Sequence, residues 1–97
     1  MIIVVARVTL HPGKAEKYEA TCRALFPQVR AAEPGVVFYN AGRSRDEPDT
    51  YRVIEVYRDQ PAMDEHIQSK FVSASMPALQ DCIATLDIKL HDALDDG

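Results

Sequence analysis

The chain contains no tryptophan, only two cysteines and four glycines in 97 residues, and no surplus of basic charge. Each shortage excludes something. Cys22 and Cys82 stand 60 positions apart with no second ligand cluster near either, so neither a disulfide framework nor a cysteine-based zinc site is expected. Both fall on helical patterns and read as small buried apolar thiols in a reducing cytosol, hence a cytoplasmic protein. A formal net charge of −4 leaves no basic face for nucleic acid or an anionic membrane, and neither is expected as a partner. No apolar run approaches the roughly 20 residues that cross a bilayer. The opening Met1-Ile-Ile-Val-Val-Ala6 lacks the basic flank and cleavage site of a signal peptide and reads as a strand. Metal-ligand spacing, Walker loop, dinucleotide glycine pattern and Ser or Cys nucleophile motif are all missing, so neither metal nor cofactor is expected.

What is present suffices for a core. A hydrophobic content of 46% over this length fits one domain, residues 1–97, with 92–97 as a frayed, disordered acidic tail. Ile2 to Leu10 is rich in β-branched residues and stops at His11-Pro12-Gly13, a turn signal. Ala15, Tyr18, Cys22, Leu25 and Val29 then recur at helical spacing, and Pro27 predicts a kink or an early end near Phe26. Glu33-Pro34-Gly35 closes that unit as a turn. Val36 to Ser44 is a second strand, Arg45–Asp49 a polar turn, and Thr50 to Arg58 a third strand. Helices are expected from Pro61 to Ser69 and from Phe71 towards Ile83, with Pro77 leaving the continuity of the latter open. Thr85 to His91 alternates Leu86, Ile88 and Leu90 against Asp87, Lys89 and His91, the mark of a final half-buried strand.

The order β-α-β-β-α-β, with the second helical segment broken in two, predicts an α+β, ferredoxin-like fold with one antiparallel sheet and all helices on one face. The other face is then rich in apolar side chains. Strict alternation puts Ile3 and Val5 opposite Ile2, Val4, Ala6 and Val8, and sets Val37, Tyr39 and Ala41 against Val36 and Phe38. Such a face predicts a second copy packed sheet to sheet, an isologous homodimer.

The third strand runs directly into a helix carrying one histidine, and this segment holds the candidate site. Tyr51, Val53, Glu55 and Tyr57 share one face of the strand; Arg52, Ile54, Val56 and Arg58 share the other. His66 follows Ala62 and Met63 on the inward helix face, where an imidazole is either a general base or a hydrogen-bonded link from helix to sheet. Glu55 is expected on the barrel-facing side with Arg7, either in an ion pair or orienting a substrate hydroxyl or the ring of His66. Tyr39, Tyr51 and Tyr57 can line a pocket with one polar tip each, or simply pack. Asn40 is placed at a helix or rim, and His11 and His91 are read as exposed.

The chain as a whole resembles the antibiotic biosynthesis monooxygenase family of small dimeric α+β barrels. The residues that carry the likeness are His11-Pro-Gly-Lys14, Glu33-Pro-Gly35, Ile54-Glu-Val-Tyr-Arg-Asp59, Ala62-Met-Asp-Glu-His66 and Ser69-Lys-Phe71. The resemblance implies two facing sheets in a dimeric α/β barrel, with a ligand pocket between sheet and helices of each subunit. It implies a cofactor-independent monooxygenase acting on a phenolic or quinol-type small molecule, with His66 catalytic and Tyr57, Glu55, Tyr39, Tyr51 and Arg7 around the substrate. An isomerase or tautomerase, like the family's quorum-signal branch that keeps Glu and Tyr in this run, is the alternative, as is a dimer that binds a small aromatic molecule without turnover. Members often carry Trp where Tyr57 stands and a second His near Lys70. In the haem-degrading branch Asn, Trp and His fall on Ala6, His66 and about Ser75 or Met76, so this chain does not follow it.

Overall fold

A computed structural model describes all residues from Met1 to Gly97. Seven elements follow one another: β1 (Ile2–Leu10), α1 (Ala15–Ala32), β2 (Val36–Arg43), β3 (Thr50–Tyr57), α2 (Gln60–Ile67), α3 (Lys70–Cys82) and β4 (Ile83–Asp92). The strands form one antiparallel sheet in the order β2-β3-β1-β4, the α+β ferredoxin-like arrangement read from the element order. No helix is long and apolar enough to cross a membrane.

Register decides which side chains meet. Val4, Ala6, Val8 and Leu10 of β1 turn towards the helices and are buried, as are Tyr51, Val53 and Tyr57 of β3. Ala6, Val8, Leu10, Tyr51 and Val53 pack on Tyr18, Cys22, Leu25, Phe26 and Val29 of α1, a stripe at helical spacing, with Cys82 closing the core from α3, while Val4 and Tyr57 form a smaller cluster with Ala62 of α2. Both cysteines are buried free thiols.

Several sequence expectations are corrected. Pro27 neither ends nor shortens α1, which runs unbroken to Ala32, because the buried Leu25, Phe26 and Val29 hold the turns on either side while Pro27 faces solvent. Pro77 also lies within an unbroken α3, exposed itself while the partly buried Val72 and Leu79 pack against the core. A bulge shifts the β2–β3 register between Val36 and Phe38, so Val36 and Tyr39 share the helix side. Phe38 and Asn40 consequently occupy the helix-free side, opposite Val56 and Ile54. Finally, β4 is not half-buried. Its Leu86, Ile88 and Leu90 lie on the helix side beside Val8, Ala6 and Val4, yet are 52%, 51% and 57% exposed, because no helix reaches across that edge of the sheet. Asp92 is strand rather than tail, and Ala93 N–H donates to the Met1 carbonyl at 3.0 Å.

One close approach sets the position of α2. A Cβ on Gly35 would overlap that of Ala62 and lie 3.4 Å from its Cα, so only glycine lets the start of β2 and the first turn of α2 meet. Gly35→Ala is expected to cost about 1–3 kcal/mol by overpacking, with Ala62→Gly in the same chain restoring part of it. Since about 1 kcal/mol moves Tm by roughly 4–8 °C in a domain this small, thermal unfolding reads the loss, and an unchanged Tm would contradict the contact.

Candidate active site

The helix that carries His66 is fixed at both ends. The Asp59 carboxylate accepts from Ala62 N–H at 2.9 Å and caps its start, with Pro61 preset for the first turn. Its far end passes through Gln68 into Ser69, whose Oγ accepts from Phe71 N–H at 3.3 Å and starts α3. Ala62 and His66, four residues apart, form the buried face of α2.

His66 is 6% exposed and lies between two carboxylates. Nδ1 is 2.9 Å from Glu33 Oε1 at the end of α1, and Nε2 is 3.7 Å from Glu55 Oε1 on β3. The same Glu55 oxygen accepts the hydroxyl of Tyr57. The imidazole also meets the ring of Tyr39 edge-on at 5.0 Å and that of Tyr57 tilted at 5.3 Å. Burial raises the Glu55 carboxyl above the ordinary range for its type, against the opposing pull of the Tyr57 hydroxyl and His66. Burial likewise raises the phenols of Tyr57 and Tyr39, with the Glu55 charge adding to it, so both are donors rather than bases.

This cluster forms part of the wall of a cavity of about 430 Å³ between the sheet and helices α1 and α3. Fourteen of its 17 lining residues are hydrophobic, and the polar exceptions are Glu55, His66 and Gln80. A ligand that fits is therefore mostly apolar, with a hydroxyl or carbonyl presented to His66 and Glu55. The cavity extends towards the bare edge of the sheet at Leu86 and Ile88. No group of three or more His, Cys, Asp or Glu side chains is arranged to hold a metal ion.

Of the residues read from the sequence, His66, Glu55 and Tyr39 line one cavity, and Tyr57 stands behind Glu55 as its hydrogen-bond donor. Tyr51 lines a separate cleft of about 290 Å³ with its hydroxyl donating to Glu19 at 2.5 Å, outside the cavity. Arg7 is on the opposite face altogether. It stands across from Arg52 and bonds Glu47 at 2.6 Å, whereas Glu55 is level with Val4, which turns to the helices. Glu55 therefore shares the helix side with Tyr57 and not the barrel-facing side with Arg7, and their expected ion pair does not form. His11 and His91 are exposed as read. The residue missed was Glu33, taken for turn punctuation. Its signal was an anomaly: a carboxylate at a helix C-terminus opposes the macrodipole and needs a reason to be there.

The raised Glu55 carboxyl makes stability depend on pH. Its folded value lies above the unfolded one, near 4.5, so its contribution is whole below that value and is lost as pH rises through the folded value. Glu55→Gln keeps an acceptor for Tyr57 and cannot ionise. The variant is expected to be more stable than the native chain at pH 8, with the gain vanishing towards pH 4. Urea midpoints at the two pH values measure it, and a difference independent of pH would disprove it.

A profile of the antibiotic biosynthesis monooxygenase family matches residues 1–83. The crystal structure of a proposed antibiotic biosynthesis monooxygenase from Caulobacter crescentus CB15 superposes with a TM-score of 0.93 at 32% identity, covering 97% of this chain and 90% of that one. A Pseudomonas aeruginosa protein gives 0.86 at 26% identity, covering 97% and 94% of the two chains. An uncharacterised protein of Synechocystis is 25% identical over 91 residues, and the match spans 93% of this chain but 61% of that protein. With a family profile across most of its length and the fold, order and spacing to match, the chain belongs to the antibiotic biosynthesis monooxygenase family.

Proposed function

We propose that the chain is a monooxygenase that oxidises a phenolic or quinol-type small molecule with O₂ and no cofactor. The observation that carries this reading is the imidazole of His66 on the wall of a mostly apolar cavity, backed by one carboxylate and facing another. In a phenol the hydroxyl proton passes to Nε2 of His66, and the resulting anion is electron-rich enough to react with O₂ directly. One oxygen atom forms a bond to a ring carbon that loses its hydrogen, and the O–O bond then breaks to release the other as water. Phenol plus O₂ equals quinone plus water, with every electron supplied by the substrate. The protein contributes a mostly apolar cavity, the base and a polar end that supports the anion.

A second reading is supported by Glu55, which burial keeps towards its protonated form beside an imidazole. An acid and a base on one wall suit an isomerase or tautomerase that moves a proton between two atoms of one substrate. An oxygen electrode separates the two. A panel of phenols including 1-naphthol should consume one O₂ per quinone formed. Isomerisation without oxygen uptake would establish the second reading, and binding without any turnover would leave a small-molecule carrier.

The reading includes a homodimer. The helix-free side of the sheet presents Ile3 and Val5 of β1, Ile54 and Val56 of β3 and the 48%-exposed Phe38 of β2, a continuous apolar surface that a second sheet would cover.

A further inference from the structure

Glu33 is held where a carboxylate is least at home. It closes the C-terminal end of α1, where the helix dipole disfavours negative charge. It is 6% exposed, and its Oε2 is buried with no hydrogen-bond partner at all. Its only side-chain bond is the 2.9 Å contact of Oε1 with His66 Nδ1. Whatever keeps an acid at this position acts through that contact.

The two nitrogens of the His66 ring are not equivalent. Nδ1 has an acceptor at bonding distance. Nε2 is 3.7 Å from Glu55 Oε1, beyond a hydrogen bond, and that oxygen already accepts the Tyr57 hydroxyl. A neutral imidazole carries one hydrogen, and the bond made at one nitrogen decides which nitrogen holds it. We propose that Glu33 is the positioning residue of this site: it accepts the Nδ1 hydrogen of His66, leaves the Nε2 lone pair free towards the cavity, and holds the imidazolium that forms when Nε2 takes a proton. This rests on the reading of His66 as the proton acceptor.

The proton balance shows why such a partner is required. In the conversion of a phenol to a quinone and water, both hydrogens end in the water, so the proton taken at Nε2 is not exported. It stays on the ring while the substrate anion meets O₂, and it returns to the oxygen atom that leaves. The imidazolium must persist for that interval inside an apolar wall. Glu33 behind the ring and the last turn of α2 around it supply the negative potential. Lys70 and Glu65 border the cleft on the outer side of Glu33, one charge of each sign.

Nitrogen-15 spectra of the histidine rings test the positioning directly at pH 8. The chain has only three histidines, and His66→Asn assigns the signal. The expected result is a hydrogen on Nδ1 and a bare Nε2 in the native protein, with that preference lost in Glu33→Leu. Glu33→Gln retains an acceptor of the same shape but no charge. It should keep the tautomer while kcat for 1-naphthol falls roughly 10- to 100-fold with KM within about twofold, the scale of a lost orienting partner. A purely structural Glu33 would leave kcat of the isosteric variant unchanged. A native ring with its hydrogen on Nε2, or an Nδ1 preference that survives Glu33→Leu, overturns the proposal, and an unchanged kcat in Glu33→Gln overturns the charge-holding part. Should Glu33→Leu fail to fold, the native tautomer and the Glu33→Gln kinetics decide between them. An Nδ1 hydrogen in a protein that consumes no oxygen retires the oxygenase reading and keeps the role of Glu33.

Discussion

His66→Ala is expected to cut turnover by roughly 10²–10⁴-fold, the range for loss of a positioned proton acceptor, and to lower stability by about 1–3 kcal/mol as well. Both effects have one origin. The ring is the sole side-chain partner of Glu33, whose other carboxylate oxygen is already buried without a bond, so removing the imidazole leaves a carboxylate with nothing to neutralise it. A base alone would change rate without changing Tm; a structural link alone would do the reverse. The 6% exposure of both His66 and Glu33 makes the two roles inseparable here. Activity is therefore to be measured well below the lowered Tm, with circular dichroism confirming the fold. Glu33→Ala with His66→Ala should destabilise less than the sum of the two single changes, because neither then orphans the other. Turnover within threefold of native in folded His66→Ala would end the assignment of the base.

The parts of this site that were legible in the sequence are those set by local periodicity. Tyr51, Val53, Glu55 and Tyr57 share a face because an unbulged strand alternates residue by residue. His66 turns inward because it stands four residues after Ala62, behind an aspartate cap. What was not legible depends on partners distant in the chain. Arg7 and Glu55 alternate correctly within their own strands, but the pairing of Arg7 with Arg52 is fixed by the register of two strands more than forty residues apart. The bulge at β2 puts Val36 and Phe38 on opposite faces in a run, Val36-Val37-Phe38-Tyr39, that is apolar on both sides and gives no cue of parity. Pro27 and Pro77 were read by their local cost, which the packing of neighbouring turns outweighs. Glu33 was hidden by its own company, since Glu-Pro-Gly reads as a turn whether or not the carboxylate is buried.

Val5→Asp is expected to abolish the proposed homodimer and, with it, much of the fold's stability. Val5 is central on the helix-free side, level with Ile54 of β3; its neighbours there are the apolar Ile3 and Val56 on one side and Arg7 and Arg52 on the other, both already facing Glu47. A carboxylate at that position is buried without a partner when a second sheet covers it, which costs several kcal/mol unless the group is neutralised. Two-fold symmetry sharpens the effect: each substitution occurs twice in an isologous interface, so two like charges meet across it. Lys89 of β4 is the one cation directly across from Val5, and it is solvent-exposed and already lies 3.7 Å from Asp87. Ile54→Asp supplies a second variant free of that neighbour, since the residues across from it are Val5 and Asn40. The native chain should scatter light as twice its 10.8 kDa at micromolar concentration, and both variants as monomers or unfolded chains. Because Val4, Ala6 and Val8, which alternate with these positions along β1, pack against the helices, with Ala6 and Val8 lining the cavity, loss of the partner should also weaken binding of an apolar phenol. A native protein that scatters as a single chain would refute the dimer. So would a doubled mass retained by both variants, for then the surface that associates is not this face of the sheet.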